Sequence, residues 1–176
     1  MIAAPDRQIA ARARYLTNQA KDDTVRYVHN ETGFNYRMTN IQAAIGCAQL
    51  EAIEKYIEAK RRNFEAFKSL LKGVKGISLA DEPEYGFSNR WLYSLIVDKR
   101  AYGTDRDGLM TKMSELGIET RPLWKLNHTQ RPFAKCPSYR IERAFHFEEN
   151  LLNIPSSVGL TDADIRRIAE AIKHGR

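Results

Sequence analysis

One long run of helical periodicity restricts this chain more than any other feature. Thr39 and Gln42 have the spacing of a capping box, and apolar side chains recur at Ile41, Ala44, Ile45, Ala48, Ile53, Tyr56, Ile57, Phe64, Phe67 and Leu71 before Gly73. Unbroken, such a helix would reach roughly 50 Å at 1.5 Å per residue, longer than compact domains normally use. A bend or break between Leu50 and Lys55 is therefore expected. Gly46 stands inside the run among Ala43, Ala44 and Ala48. A glycine merely tolerated in a helix costs about 1 kcal/mol relative to alanine, so this small-residue face predicts the close approach of another backbone.

The periodicity changes on both sides of the run. Upstream, Pro5 to Asn18 predict a helix, and Thr24 to Tyr36 an irregular segment around Gly33. Downstream, Ile77 to Leu79 and Arg90 to Val97 predict strands, the second with Trp91, Tyr93, Leu95 and Val97 on one face. Thr104 is expected to cap a helix carrying Leu109, Met110, Met113 and Leu116 and ending at Gly117. A strand from Ile118 to Leu123, broken by Pro122, leads into a loop from Trp124 to Pro137 and a helix from Ser138 to Glu149. A strand from Leu151 to Ile154 precedes a terminal helix opened by Thr161 and Asp164. This order predicts an α/β chain of the α+β kind: a small mixed or antiparallel sheet covered by helices and preceded by a long helix.

Composition removes several function classes. With 43% apolar and 28% charged residues the chain is of ordinary globular type. No apolar run approaches the roughly 18 residues of a membrane span, and the opening MIAAPDRQIAARARY lacks the order of a secretory signal, so a cytoplasmic location without membrane contact is expected. Cys47 and Cys136 are expected to pack as small hydrophobes. His29, His128, His146 and His174 lack metal-site spacing, and neither glycine-rich phosphate loops nor a G-x-S-x-G elbow occur. The net charge of +6 permits a polyanion, but acids are interspersed with the bases, which leaves nucleic-acid binding as a distant alternative.

Two constellations stand out. In GFNYRMTNIQAAIG, a polar loop runs into the capped helix and presents Asn35, Tyr36 and Arg37 near its amino terminus, where anions are favoured. Taken alone, these residues fit a turn and a surface ion pair better than a phosphate site. In IETRPLWKLNHTQRPF, Arg121, Trp124, His128 and Arg131 crowd a proline-containing loop, although Trp124 equally suits a core and His128 equally suits solvent.

GFNYRMTNIQAAIGCAQLE, SNRWLYSLIV, IETRPLWKLNHTQRPF and NIPSSVGLTDADI, in this order, closely resemble the carboxy-terminal half of the pyridoxal phosphate (PLP) dependent sugar aminotransferases of the DegT/DnrJ/EryC1/StrS group. Within the group, the chain most resembles enzymes that aminate the C4 keto position of UDP-linked 2-acetamido sugars. The resemblance implies the small domain of an aminotransferase of fold type I. Residues 1–50 would be the last elements of the large cofactor domain, including a dimer-side loop, and residues 51–176 the small domain with its connecting helix. It also implies that the cofactor-attached lysine lies upstream of Met1, since none of the eleven lysines stands in the family context. No catalytic residue is then expected in this chain, and transamination by it alone is not expected.

By the same resemblance, Asn35 matches an asparagine that reaches across a homodimer to the PLP phosphate, and Arg37 is a second candidate for phosphate. Asn89, Arg90, Arg121 and His128 match positions on the side of a nucleotide-sugar substrate, with glutamate as amino donor. Trp91 and Trp124 are expected to pack. Leu126 and Asn127 stand where the family often has proline or another apolar residue before the histidine, which leaves the sugar open. A second reading, from another class, is a non-catalytic binding or dimerising module that keeps the family's surface.

Overall fold

The computed structural model describes residues 2–23 and 25–175; Thr24, where the irregular segment was expected to begin, lies outside the described residues, as do both terminal residues. The chain divides into two compact units between Ala52 and Ile53.

In the first unit, α1 (Arg7–Thr17) begins where the Asp6 carboxylate accepts from the N–H groups of Gln8 and Ile9 at 2.6 and 3.4 Å. Beyond it, Gln19 and Ala20 adopt positive φ, and the chain folds back so that Phe34 and Tyr36 donate to the carbonyls of Leu16 and Thr17 at 2.7 and 3.1 Å. α2 (Asn40–Glu51) opens with the expected box: Gln42 N–H donates to Thr39 Oγ1 and Thr39 N–H to Gln42 Oε1. The long helical run breaks at Ala52, whose N–H is taken by the carbonyls of Gln49 and Leu50. None of α2 is buried, and a Cβ placed on Gly46 meets nothing within 4 Å among the described residues. The close approach expected there is therefore not supplied by the described residues. Cys47, on the same helix, is exposed rather than packed, and Cys136 is exposed in its loop.

The second unit begins with α3 (Ile53–Leu70) and continues through β1 (Ile77–Leu79), β2 (Tyr93–Val97), α4 (Lys99–Tyr102) and α5 (Arg106–Glu115). β3 (Arg121–Pro122), α6 (Glu142–Asn150), β4 (Leu151–Ile154) and α7 (Asp162–Lys173) complete it. The sheet has the order β1-β2-β4-β3, and every pairing is antiparallel. Tyr93, Leu95 and Val97 are fully buried and pack in one core with Phe64 and Phe67 of α3, Leu109 and Met113 of α5, and Ile165, Ile168, Ala169 and Ile172 of α7. Burial of each large apolar side chain contributes about 1.5–3 kcal/mol, and this cluster is what holds the unit together.

Several boundaries differ from expectation for local reasons. β2 starts at Tyr93, not Arg90, because Arg90 adopts φ +52 and turns the chain before the strand. Trp91 thus leaves the buried face on which the alternation had placed it. Asp105, not Thr104, caps α5, accepting from Gly108 N–H at 2.9 Å, and the short α4 precedes it. Leu116 falls past the end of α5 and is exposed, while Gly117 takes the left-handed φ of +68 that ends it. α6 begins at Glu142, four residues later than expected. The loop from Trp124 to Pro137 contains two 3-10 turns, Asn127–Thr129 and Arg131–Phe133.

Candidate functional site

In the first unit, the segment after Gly33 is held in a definite conformation. A Cβ at Gly33 would lie 2.3 Å from the backbone N of Ala20, which is itself fully buried, so only glycine lets the returning strand come this close. The rings of Phe34 and Tyr36 then stack with centroids 5.3 Å apart. Residues two apart share a side of an extended chain, so Asn35 and Arg37 take the opposite side from that stack. Both are exposed; Arg37 reaches Asn18 Oδ1 at 3.4 Å. The preceding loop is tied by the ion pair between Arg12 and Glu31 and by Tyr15 donating to Asp22 at 3.1 Å. The Arg12 guanidinium holds the Glu31 carboxyl below its ordinary range.

An amide and a guanidinium on one side of an extended segment form a donor set that fits a phosphate. Replacing Gly33 with alanine is expected to push this segment away from Ala20, since overpacking of this kind costs about 1–3 kcal/mol. Hydrogen exchange at the Phe34 and Tyr36 amides should then accelerate by tenfold or more; unchanged protection would show that the close approach does not set the segment's position.

The second unit carries a groove of about 750 Å³ beside β3 and β4, lined among others by Arg121, Trp124, Lys125, Glu148, Asn153 and Ser156. The pairing of Arg121 with Asn153 builds its floor. Asn153 is buried and accepts from Ser94 Oγ at 2.8 Å. Glu148, also buried, receives Lys125 Nζ at 2.6 Å, and Arg106 donates to the Glu148 carbonyl at 2.9 Å. The buried Thr120 hydroxyl, on the same wall, has no hydrogen-bonding partner among the described residues.

The residues singled out in the sequence do not converge. Arg121 lines the groove and is exposed, paired with the equally exposed Glu119. Asn89 serves a turn: its Oδ1 accepts from Trp91 N–H at 3.0 Å. Arg90 differs most from its expected place on the substrate side. Its side chain is 6% exposed, pairs with Asp81 at 2.6 Å and Glu82 at 3.4 Å, and lies 3.8 Å above the Phe64 ring. The guanidinium is thus engaged inside the unit and is not presented to a ligand. His128 is half-buried with its ring edge-on to Phe145 at 5.4 Å, and does not line the groove. Trp91 and Trp124 do not pack in the core; both are exposed and stack on each other.

Lys60 was missed. On α3, its Nζ donates to the carbonyls of Trp91 at 2.9 Å, Arg90 at 3.3 Å and Ser156 at 2.5 Å, joining two segments distant in sequence. Desolvation lowers its pKa. A signal was present, because Tyr56, Lys60 and Phe64 recur every four residues, which places a charge on the apolar stripe of the helix.

Residues 1–173 match the DegT/DnrJ/EryC1/StrS aminotransferase family. The chain belongs to this family. It is 34% identical over 178 residues to EpsN of Bacillus subtilis (strain 168), assigned as a pyridoxal phosphate-dependent aminotransferase, covering 99% of this chain and 45% of EpsN. It is also 34% identical over 175 residues to the GDP-perosamine synthase of Caulobacter vibrioides, covering 98% of this chain and 46% of that enzyme. Among solved structures, DesI in the presence of its TDP-sugar product superposes with a TM-score of 0.80 at 27% identity, over 97% of this chain and 43% of DesI. The aminotransferase TlmJ of Streptoalloteichus hindustanus shares the fold, with a TM-score of 0.82 at 20% identity over 97% of this chain and 45% of TlmJ. The α/β architecture expected from the sequence is that of these family members, and the chain spans a little under half the length of the relatives it matches. No helix among the described residues is long and apolar enough to cross a membrane.

Proposed function

We propose that this chain supplies the sugar-side part of a PLP-dependent aminotransferase that moves an amino group from glutamate to a nucleotide-linked 4-keto sugar. The observation that carries this reading is the family match over residues 1–173. The names of two similar proteins carry GDP and TDP, whereas the resemblance of the sequence motifs implies UDP. A nucleoside diphosphate is common to all three. When bound, PLP supplies the carbonyl that takes up the amino group and the conjugated ring that stabilises the electron pair set free in the transfer. Asn35 and Arg37 would hold its phosphate from a neighbouring subunit. In the second unit, Arg121 would take the diphosphate of the substrate, and the groove wall with Asn153 and Ser156 would offer hydrogen bonds to the sugar. Arg90 is assigned no ligand, and none of the eleven lysines is assigned to the cofactor.

The test is a chimera in which this chain replaces the matched part of EpsN. It should produce 2-oxoglutarate from glutamate in the presence of a UDP-, GDP- or TDP-linked 4-keto sugar, and Asn35→Ala should weaken its hold on PLP by tenfold or more. A folded chimera that binds PLP and aminates none of the three sugars would overturn the reading. The alternative, a dimerising module without catalysis, is favoured by the exposed Ile41, Ile45 and Leu50 of α2 and the open face at Gly46. Sedimentation showing a monomer would remove it.

A further inference from the structure

Trp91 and Trp124 are each 64% exposed, yet their rings are ordered against each other, with centroids 6.0 Å apart and planes 30° from parallel. Leaving such side chains in water forgoes the stabilisation that burial would give, so an exposed and fixed indole pair calls for a reason other than packing. The fixing comes from the backbone of Trp91. Its N–H donates to Asn89 Oδ1 at 3.0 Å, and its carbonyl accepts from Lys60 Nζ and from Ser156 Oγ, both at 2.9 Å. Lys60 also reaches the carbonyls of Arg90 and Ser156, so its ammonium group is directed at three backbone oxygens of the two segments beside the pair.

Trp124 lines the groove, and so does Arg121. Between them the chain stays close to the sheet, with Leu123 N–H donating to the Leu151 carbonyl at 3.2 Å. At about 3.3 Å per residue the two positions are at most about 10 Å apart, a span that suits the two ends of a nucleoside diphosphate. The partner of Arg121, Glu119, is 75% exposed, and a surface pair of this kind contributes about 0–1 kcal/mol, which leaves the guanidinium free to exchange it for a diphosphate.

We propose that the Trp91–Trp124 pair is a stacking platform for the nucleobase of a nucleoside diphosphate whose phosphates meet Arg121, and that Lys60 is the positioning residue that holds the platform. This rests on the nucleotide-sugar reading above. A bare sugar would also stack on indole, but it would give Arg121 no partner.

The chain contains two tryptophans, so indole emission and the indole circular-dichroism couplet report this pair and nothing else. The full chain is titrated with UDP, GDP and TDP, and with inorganic pyrophosphate and ribose 5-phosphate as controls, by fluorescence and calorimetry. Nucleoside diphosphates should quench the emission saturably, whereas the controls should not. Trp124→Leu should weaken nucleoside diphosphate binding by tenfold or more, in line with the loss of one stacked base, and leave pyrophosphate binding unchanged. Lys60→Met should abolish the couplet; Ser156→Ala, a milder change, should reduce it in a chain whose thermal melt is otherwise unaltered. Calorimetric binding of nucleoside diphosphate without quenching, or undiminished by Trp124→Leu, overturns the platform and leaves the nucleotide reading standing. Equal quenching by pyrophosphate overturns base stacking. Absence of nucleoside diphosphate binding overturns both.

Discussion

Phe67→Ala is expected to destabilise the second unit by about 3–5 kcal/mol, read as a fall in the midpoint of denaturant unfolding. Phe67 is fully buried on α3, and its ring lies 5.7 Å from that of Tyr93, which is also fully buried. Tyr93 lies in β2 opposite Ile154 of β4, so the cavity would open where helix and sheet meet. Surrounding backbone cannot collapse into such a space without breaking the register. Tyr93→Phe gives the graded comparison. It retains the ring and removes one hydrogen bond, from the Tyr93 hydroxyl to the Lys60 carbonyl at 2.7 Å, with an expected cost of about 1 kcal/mol. Burial raises the pKa of this phenol to about 12, so it should stay protonated at about pH 10, where an unperturbed phenol is half ionised. Equal losses for Phe67→Ala and Tyr93→Phe would show that packing does not dominate this junction.

Arg90→Met is expected to cost about 2–3 kcal/mol. Removing one partner of a buried pair typically costs 3–5 kcal/mol, and the value here is lowered because Asp81 remains 40% exposed and can recover hydration. The guanidinium satisfies Asp81 and Glu82 while its flat face covers Phe64, and methionine would preserve only the last of these contacts. The same network sets a pH dependence. Arg61 and the Ser88 N–H hold the Glu82 carboxyl at about 2, and Lys68 with Arg90 holds Asp81 well below its ordinary range. Both folded values are depressed, so the unfolded chain binds more protons at acid pH. The contribution is complete above the unfolded values near pH 4.5 and is lost as pH falls toward 2. Glu82→Gln should flatten acid unfolding across that interval; an unaltered profile would place the acid sensitivity elsewhere.

Two helix starts were legible because the groups that make them lie within three residues of one another. Thr39 with Gln42, and Thr161 with Asp164, form their boxes as the spacing requires. The break near Leu50 was legible too, from length alone. Strand ends were less so: alternation carried β2 back to Arg90, but that residue adopts positive φ and its side chain enters an ion network with Asp81 and Glu82, which no period encodes. The site was legible in part. Asn35 and Arg37 are candidates through the resemblance of a motif, and the structure adds the glycine contact that sets the segment carrying them. His128 is a candidate by the same means and does not line the groove. Lys60 was overlooked because its three acceptors are carbonyls 30 to 96 residues away.

Periodicity and capping, which act over a few residues, were enough to define most helices and strands, and the ordered motifs carried the resemblance to the family. Long-range hydrogen bonding and ion pairing decided the rest: which arginine is buried, which lines a groove, and whether two tryptophans enter the core or stand stacked. Those outcomes depend on which distant carbonyls and carboxylates the folded chain brings within about 3 Å, the range over which a hydrogen bond forms.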